Sequence, residues 1–382
     1  MVERVLREAG LNVGLYTSPH LDDLRERIQI DNRKIRKEAV CEFVKASQEY
    51  VQTRPVENAS PTFFETVTAM ACWEFARQQV DVAVLEVGIG GRHDATSVCE
   101  PVASAVTSVT LEHADILGDT VEKIAHDKAH VAGEQPLVTA TDGSVFDVIC
   151  TIAPEVVQIG GTDTDATVTV EYHGREALEG GVSITGPAFQ VETCLPLLGA
   201  HQATNAGVAA VLARQVGDVL DTTVTDAIIE RGLRNAHWPG RFEVMSREPL
   251  VILDGAHNPG GLKRVTETLD SFEYDSLYLV FGAMVDKDHL AMAGSLPSAD
   301  CVYTCRADAD RAESSSMLTR SFEAAGAEDV RTGGNVTAAL ESALESAGPD
   351  DAVLVAGSLY VVAEARRRWS RVHVPKRLSD LT

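Results

Sequence analysis

The stretch VAVLEVGIGGRHDATS, residues 82–97, determines how the rest of the chain is understood. Its first four residues, Val82 to Leu85, are apolar and predict a buried strand that ends in a glycine-rich turn. The glycines match neither GxGxxG nor GxxxxGK[ST], so they are weak evidence for a phosphate site. An acid that ends a strand of an α/β sheet lies at the edge where ligands bind. We therefore expect Glu86 to bind a metal or to act as a base.

Strand and helix signals alternate on both sides of this stretch, which indicates a wound α/β architecture. A chain of 382 residues suggests two domains, and we place them at 1–237 and 238–382, around the turn Trp238-Pro239-Gly240. Short β-like pieces between residues 160 and 198 predict a small antiparallel excursion. The main predicted elements are helices at 61–78, 120–131, 201–216, 223–235, 261–271, 290–295, 314–325 and 336–347, and strands at 13–16, 81–87, 102–109, 135–140, 167–172, 182–184, 189–195, 250–253, 276–281, 300–304 and 352–355.

Charge and composition exclude several function classes. The formal net charge of −24 repels nucleic acid and anionic lipid, so we expect neither as a partner. No stretch approaches the roughly 18–20 apolar residues of a membrane span, and the start MVERVLREAG lacks a signal-peptide core. The seven cysteines are scattered, without zinc-site spacing. We expect a cytoplasmic protein, and the acid excess suggests adaptation to high salt.

Five groups of polar residues stand at the ends of strands or on nearby helices. A hydroxyl, carboxylates and imidazoles in such positions suit Mg²⁺ in a nucleotide site, where phosphate and water complete the coordination. Each group alone is ambiguous, because an isolated histidine such as His113 is more often structural. The groups are YTSPH at 16–20, Glu86 with its glycines, TLEH at 110–113, AHDKA at 125–129 and DGAHNP at 254–259.

Eight segments, in order along the chain, resemble the successive motifs of the folylpolyglutamate synthase/dihydrofolate synthase family of Mur ligases. The resemblance runs from Arg7 to about Arg368. The segments are PTFFETVTAMA, AVLEVGIGGRHDAT, ILGDTVEKIAHDKA, LGAHQATNA, WPGRFEV, ILDGAHNPGG, LVFGAMVDKD and VLVAGSLYVVAEAR.

The resemblance implies a P-loop ATPase domain, with a parallel sheet and a small antiparallel sheet, followed by a smaller Rossmann-like domain. It also implies ATP-dependent addition of L-glutamate to dihydropteroate, to folates, or to both, through an acyl phosphate. The number of glutamates added, the oligomeric state and fusion to a further domain are left open.

By the same resemblance, two Mg²⁺ sites are expected. Ser18 and Glu86 resemble the ligands of one ion, and His113 resembles a ligand of the second. Lys128 matches a lysine that carbon dioxide converts to a carbamate, which supplies an additional oxygen ligand. The alternative for Lys128 is a helix-surface lysine near an acid.

Asn205, Arg241 and Asp254 resemble the residues that hold ATP. Arg241 suits a phosphate because its fork of donors stays charged. We expect His257 to approach the transferred phosphate. Alternatively, Asn205 is a helix cap and Asp254 an Asx-turn residue.

Six residues resemble the pterin and acyl-acceptor side of the family's cleft. One of the two phenylalanines is expected to stack on a pterin ring, and the other to belong to the core. The residues are Thr62, Phe63, Phe64, Glu65, Arg92 and His93.

One departure from the family is severe, because nothing matches the phosphate loop TNGKGS that should precede the first helix. Without the loop we expect the chain as written to be crippled. A start codon placed too late would explain this. The alternatives are a remnant that binds folate or a partner, and a Mur-type ligase for another acid.

Overall fold

A computed structural model describes residues 1–53, 61–133 and 135–370. The chain divides into two compact units. Unit 1 contains Met1–His173, Gly181–Pro196 and His201–Ala236. Unit 2 contains Gly174–Gly180, Leu197–Ala200 and the residues from His237 onward.

Unit 1 begins with helix α1 and a four-stranded sheet of order β3-β2-β1-β4. β1 pairs with β4 in parallel and with β2 antiparallel. α3 begins at a capping box, in which the Thr62 hydroxyl accepts from Glu65 N–H and the Glu65 carboxylate accepts from Thr62 N–H. The elements are α1 (Val2–Glu8), β1 (Val13–Tyr16), β2 (Ile28–Ile30), β3 (Arg33–Lys34), α2 (Lys37–Thr53), α3 (Phe63–Gln78) and β4 (Val82–Leu85).

The second sheet of unit 1 has the order β10-β9-β8-β7-β6-β5. β5, β6, β7 and β8 pair in parallel, whereas the short connections of β8, β9 and β10 make antiparallel hairpins. The elements are β5 (Ala105–Val106), α4 (Ala114–Leu117), α5 (Val121–Lys128), β6 (Leu137–Thr139), α6 (Gly143–Ile152), β7 (Val156–Gly160), β8 (Val168–Glu176), β9 (Glu179–Gly186), β10 (Phe189–Leu195), α7 (Ala200–Val219) and α8 (Asp226–Arg234).

One hydrophobic core lies against both sheets of unit 1. Val13 and Val138 are fully buried in it, and Val84 of β4 and Ala105 of β5 pack against it from the edges of the two sheets. α7 supplies mostly small residues, so it packs closely on the sheet. At Gly207, for example, an added Cβ would lie 2.6 Å from Val170 Cγ2.

Unit 2 contains a six-stranded sheet of order β11-β12-β16-β13-β14-β15. Every pairing is parallel except that of β11 with β12. β12 and β16 are apolar and wholly buried, as expected of central strands with helices on both faces. The elements are β11 (Glu243–Arg247), β12 (Leu250–Leu253), α9 (Pro259–Leu269), β13 (Leu277–Phe281), α10 (His289–Ala293), β14 (Cys301–Arg306), α11 (Ser315–Ala324), β15 (Val330–Asn335), α12 (Val336–Ser346), β16 (Ala352–Ala356) and α13 (Leu359–Ser370).

The α/β fold class expected from the sequence is confirmed, and most predicted elements are present. The predicted strand at 102–109 was wrong in extent, because only Ala105–Val106 pairs, with β6 on one side. The sequence patterns missed β2, β3, α2, α4, α6, β7, β11, β15 and α13. Among the described residues, no helix is long and apolar enough to cross a membrane.

Candidate active site

Glu86 follows β4 directly, at the ends of two parallel strands. Its backbone N–H donates to Tyr16 O at 2.9 Å, which continues the β1–β4 pairing by one residue. Its carboxylate Oε2 accepts from Ser18 N–H at 2.6 Å. Glu86 is exposed. The structure therefore brings together the two residues predicted to bind one Mg²⁺.

The glycines after Glu86 serve close packing. An added Cβ at Gly88 would lie 2.6 Å from the Phe64 ring, and one at Gly91 would lie 2.8 Å from Lys128 O. Gly90 has a φ of 75°, a conformation that favours glycine. Gly91 N–H also donates to Asp127 Oδ1 at 2.9 Å. The turn that follows Glu86 therefore lies directly against the end of α5, where Lys128 is found.

Asp94 holds this turn in shape. One carboxylate oxygen accepts from the N–H groups of Gly88 and Ile89, both at 3.1 Å. The other accepts from the N–H and hydroxyl of Thr96, at 3.0 and 2.7 Å. Asp94 is buried, with 8% of its surface exposed. No role for Asp94 was predicted from the sequence, although an Asp two residues before a Thr is a common Asx-turn pattern.

The Ser18–Glu86 pair fits a magnesium ion, because a hydroxyl and a carboxylate are hard oxygen ligands. Fewer contacts support the second predicted Mg²⁺ site, at His113 and Lys128. His113 is exposed and has a φ of 54°, and Lys128 is the half-buried last residue of α5. The described residues include no group of three or more His, Cys, Asp or Glu side chains that could hold a metal ion. A second ion there would therefore depend on the lysine carbamate or on the substrates.

The two phenylalanines at the start of α3 have different environments. Phe64 packs against Tyr16, with ring centroids 5.9 Å apart, and belongs to the core. Phe63 is 59% exposed, which leaves it as the stacking candidate. Arg92 and His93 are both exposed on the turn that follows β4.

Thr62 and Glu65, also predicted to bind substrate, hydrogen-bond each other's backbone in the capping box. Backbone and side-chain hydrogen bonds from Thr62 hold the pKa of Glu65 below its usual range. Their visible role is to begin the helix that carries Phe63.

The loop between β1 and β2 contains two residues for which the sequence predicted no role, Arg27 and His20. Arg27 is buried, its Nε donates to His20 Nδ1 at 2.9 Å, and its guanidinium lies 5.2 Å from the Phe63 ring centroid. Burial, with a smaller contribution from Arg27, lowers the pKa of His20. The sequence signal was weak, because nothing in SPHLDDLRER predicts which arginine turns inward.

In unit 2, the loop after β12 contains Asp254 and His257. Asp254 is buried, and its two oxygens accept from Phe242 N–H and Ala256 N–H, both at 2.7 Å. Burial raises the pKa of Asp254. The bond to Ala256 is an Asx turn, which fits the structural alternative for this residue.

Arg241 lies close to this loop, and His257 is part of it. A Cβ added at Gly255 would lie 3.4 Å from an Arg241 guanidinium nitrogen. His257 Nδ1 donates to Gly255 O at 2.9 Å, since a carbonyl can only accept. Asp254 thus fixes the backbone next to each of these side chains, at Phe242 and at Ala256.

Asn205 lies inside α7 of unit 1, five residues after its start, so it is not a helix cap. Its side-chain amide donates to Gln202 Oε1 at 3.2 Å, and it is half-buried.

Comparison with known proteins gives matches over most of the chain. The model of the Mur ligase middle domain matches residues 35–213, and that of the Mur ligase glutamate ligase domain matches residues 240–359. The folylpolyglutamate synthase of Lacticaseibacillus casei is 33% identical over 96% of this chain and 85% of its own length. The structure of Escherichia coli FolC in complex with DHPP and ADP has a TM-score of 0.83 and 26% identity, and covers 98% of this chain and 85% of that chain.

A further relative, from Halobacterium salinarum, is named a probable bifunctional folylpolyglutamate synthase/dihydropteroate synthase. It is 55% identical over 97% of this chain, and the chain spans only 45% of its length. The relatives and the order of the two matched domains agree with the motifs and with the fold. The chain belongs to the folylpolyglutamate synthase/dihydrofolate synthase family of Mur ligases.

Proposed function

We propose that the natural polypeptide containing this chain is a cytoplasmic, ATP-dependent ligase that joins L-glutamate to a pterin acid. The observation that carries the proposal is the set of relatives, of which the L. casei folylpolyglutamate synthase is matched over 85% of its length. The Ser18–Glu86 pair supports it, because it lies where parallel strands end, the usual position of ligands in α/β proteins.

The reaction explains why these residue types are needed. A carboxylate does not react with an amine at neutral pH. Transfer of the γ-phosphoryl group of ATP to the acid oxygen forms an acyl phosphate and releases ADP. The glutamate amine then attacks the acyl carbon, phosphate leaves, and the amine proton is released. The negative charge on the transferred group must be offset by cations fixed in place.

Ser18 and Glu86 would hold one Mg²⁺, and His113 with carboxylated Lys128 would hold a second. Bound Mg²⁺ would supply charge neutralisation for the phosphoryl oxygens. Two features support this assignment for Lys128. It is half-buried, and the Gly91 turn packs against its backbone carbonyl, so the Glu86 turn and the end of α5 are neighbours.

Arg241 would bind ATP phosphates through its permanently charged guanidinium. His257, with its proton held on Nδ1 by Gly255 O, would present Nε2 as an acceptor towards the phosphoryl group or the attacking amine. Asp254 would act by shaping the loop. Asn205 would contact the nucleotide from α7.

Phe63 would stack on the pterin ring, because a large exposed aromatic side chain beside a cation offers a flat binding surface. Arg92 and His93, both exposed on the turn that follows β4, would contact the acid or the incoming glutamate.

The test is incorporation of labelled glutamate by the full natural polypeptide in high-salt buffer with magnesium and ATP. Dihydropteroate and tetrahydrofolate are offered separately. We expect ADP release and glutamate incorporation to be stoichiometric with at least one of them. Glu192→Gln, an exposed position on β10, serves as the control variant. A wild-type protein that releases ADP with neither acid would overturn the proposal, and turnover with a different acid would assign it to another Mur-type ligase reaction.

A further inference from the structure

The contact between Arg27 and His20 determines where His20 carries its proton. An arginine Nε–H can only donate a hydrogen bond. His20 Nδ1, 2.9 Å away, must therefore be the acceptor and carry no proton. In the neutral ring the proton is then on Nε2. This nitrogen has no hydrogen-bond partner among the described residues.

The loop that carries the pair is held firmly in shape. Thr17 N–H donates to Arg27 O at 2.9 Å, which ties the two ends of the loop together. Glu26 accepts from Leu21 N–H at 2.8 Å and from Lys34 Nζ at 2.8 Å. Asp23 accepts from Arg25 N–H at 3.0 Å. Fixed backbone and side-chain contacts of this kind are what preorganise a binding residue.

The same arginine also faces Phe63. Its guanidinium carbon lies 5.2 Å from the centre of that ring, while 59% of the Phe63 surface remains exposed. One buried cation therefore orients both an exposed aromatic ring and a polarised N–H donor. His20 is also only two residues from Ser18, so the group formed by Arg27, His20 and Phe63 adjoins the candidate magnesium site in sequence.

We propose that His20 Nε2–H donates a hydrogen bond to an acceptor atom of the pterin acid, and that Arg27 is a positioning residue that fixes this tautomer. This inference rests on the proposed function and adds a specificity-determining residue to it. Because Arg27 contacts both His20 and Phe63, a planar ring stacked on Phe63 would lie close to His20.

Two amide variants separate this role from simple packing. The amide nitrogen of glutamine can replace Nε2, whereas that of asparagine replaces only Nδ1. We expect His20→Gln to keep the KM for dihydropteroate within about twofold of wild type. His20→Asn should raise it roughly three- to tenfold, the usual effect of one lost hydrogen bond. For both variants kcat and the KM for ATP should stay within about twofold.

The assay is glutamate incorporation by the full polypeptide, with thermal unfolding of each variant to confirm folding. The matched control is His173→Asn, whose histidine bonds Ser183 on the β8–β9 hairpin. Equal KM values for His20→Gln and His20→Asn would overturn the assignment. Wild-type protein without glutamate incorporation would overturn the proposed function, and with it this inference.

A second measurement reads the tautomer directly in the wild-type protein. Long-range ¹⁵N NMR of histidine-labelled wild-type protein reports which ring nitrogen of His20 is protonated, with the signal assigned from its loss in His20→Gln. We expect the proton on Nε2. A proton on Nδ1 would overturn the proposal.

Discussion

The strands β4 (VAVL) and β12 (LVIL) are each four residues long and followed by an acid, but their environments in the two units differ. β4 lies at the edge of its sheet, its residues are at most half-buried, and Glu86 after it is exposed. β12 is paired on both sides and wholly buried, and Asp254 after it is 8% exposed. The first acid is exposed and accepts from the backbone N–H of Ser18, whereas the second is buried and accepts from two backbone N–H groups. The same sequence signal therefore produces a candidate ligand residue in one place and a structural residue in the other.

Neutralising Glu86 should have the largest effect. Glu86→Gln keeps an acceptor for Ser18 N–H but removes the charge that we assign to magnesium. We expect glutamate incorporation to fall at least 100-fold, while the free energy of unfolding changes by less than about 0.5 kcal/mol. The measurements are initial rates and denaturant unfolding in high salt. Retention of more than a tenth of the wild-type rate would contradict the metal assignment.

Removing the other acid should give the reverse result. Asp254→Ala leaves the N–H groups of Phe242 and Ala256 without their acceptor in a buried place. We expect a loss of about 2–4 kcal/mol in the free energy of unfolding of unit 2. Denaturant unfolding followed by the near-ultraviolet signal measures it. If stability were unchanged, Asp254 would have to act on the ligand itself.

Asp94 combines the two cases, because it is a buried acid that lies beside the exposed Glu86 and holds the Glu86 turn. Asp94→Asn keeps one acceptor oxygen but places an amide donor against backbone donors. We expect a loss of roughly 1–3 kcal/mol in stability, together with weaker activity, because the Glu86 turn loses its shape. A stable Asp94→Asn protein with normal activity would show that the turn holds its shape without this carboxylate. Rates and unfolding are measured on the same samples.

The smallest effect is expected at the start of α3. Hydrogen bonds from Thr62 lower the pKa of Glu65, so its contribution to stability is complete above the usual value near 4.5 and is lost as the pH falls through the lowered pKa. The difference in stability between wild type and Glu65→Ala should therefore be constant near neutral pH and shrink below pH 4.5. Thermal unfolding between pH 3 and 7 tests this, and a difference that grew in acid would contradict it.

The sequence predicted the elements well where apolar residues are buried on a regular spacing. β10 and β12 have the predicted bounds, since their apolar patterns and flanking turns leave little choice. β5 is shorter than predicted because an apolar run forms a strand only as far as it finds a partner. Hydrophobic pattern alone does not specify that partner.

The site was predictable only in part. Ser18 and Glu86 follow strands that pair in parallel, so their proximity follows from the topology. The different environments of Phe63 and Phe64 did not follow from the topology. Both lie in the first turn of one helix, and packing against Tyr16 and Gly88 selects the half-buried one. Arg27 was missed for a related reason. A buried arginine is rare. Its contacts with His20 and Phe63 form only in the folded protein, so no local sequence pattern predicts them.

The segment Gly174–Gly180 belongs to unit 2, although the chain on both sides of it belongs to unit 1. This hairpin tip is covalently part of β8 and β9, yet its Arg175 donates to Ser271 O and lies 3.8 Å from the Phe272 ring centroid. A fragment cut at residue 237 would therefore lack a piece of its own unit. Separate expression of the two halves would leave Phe272 without its contact to Arg175. Fragments for coexpression should therefore be divided with regard to the β8–β9 hairpin, not only at residue 237.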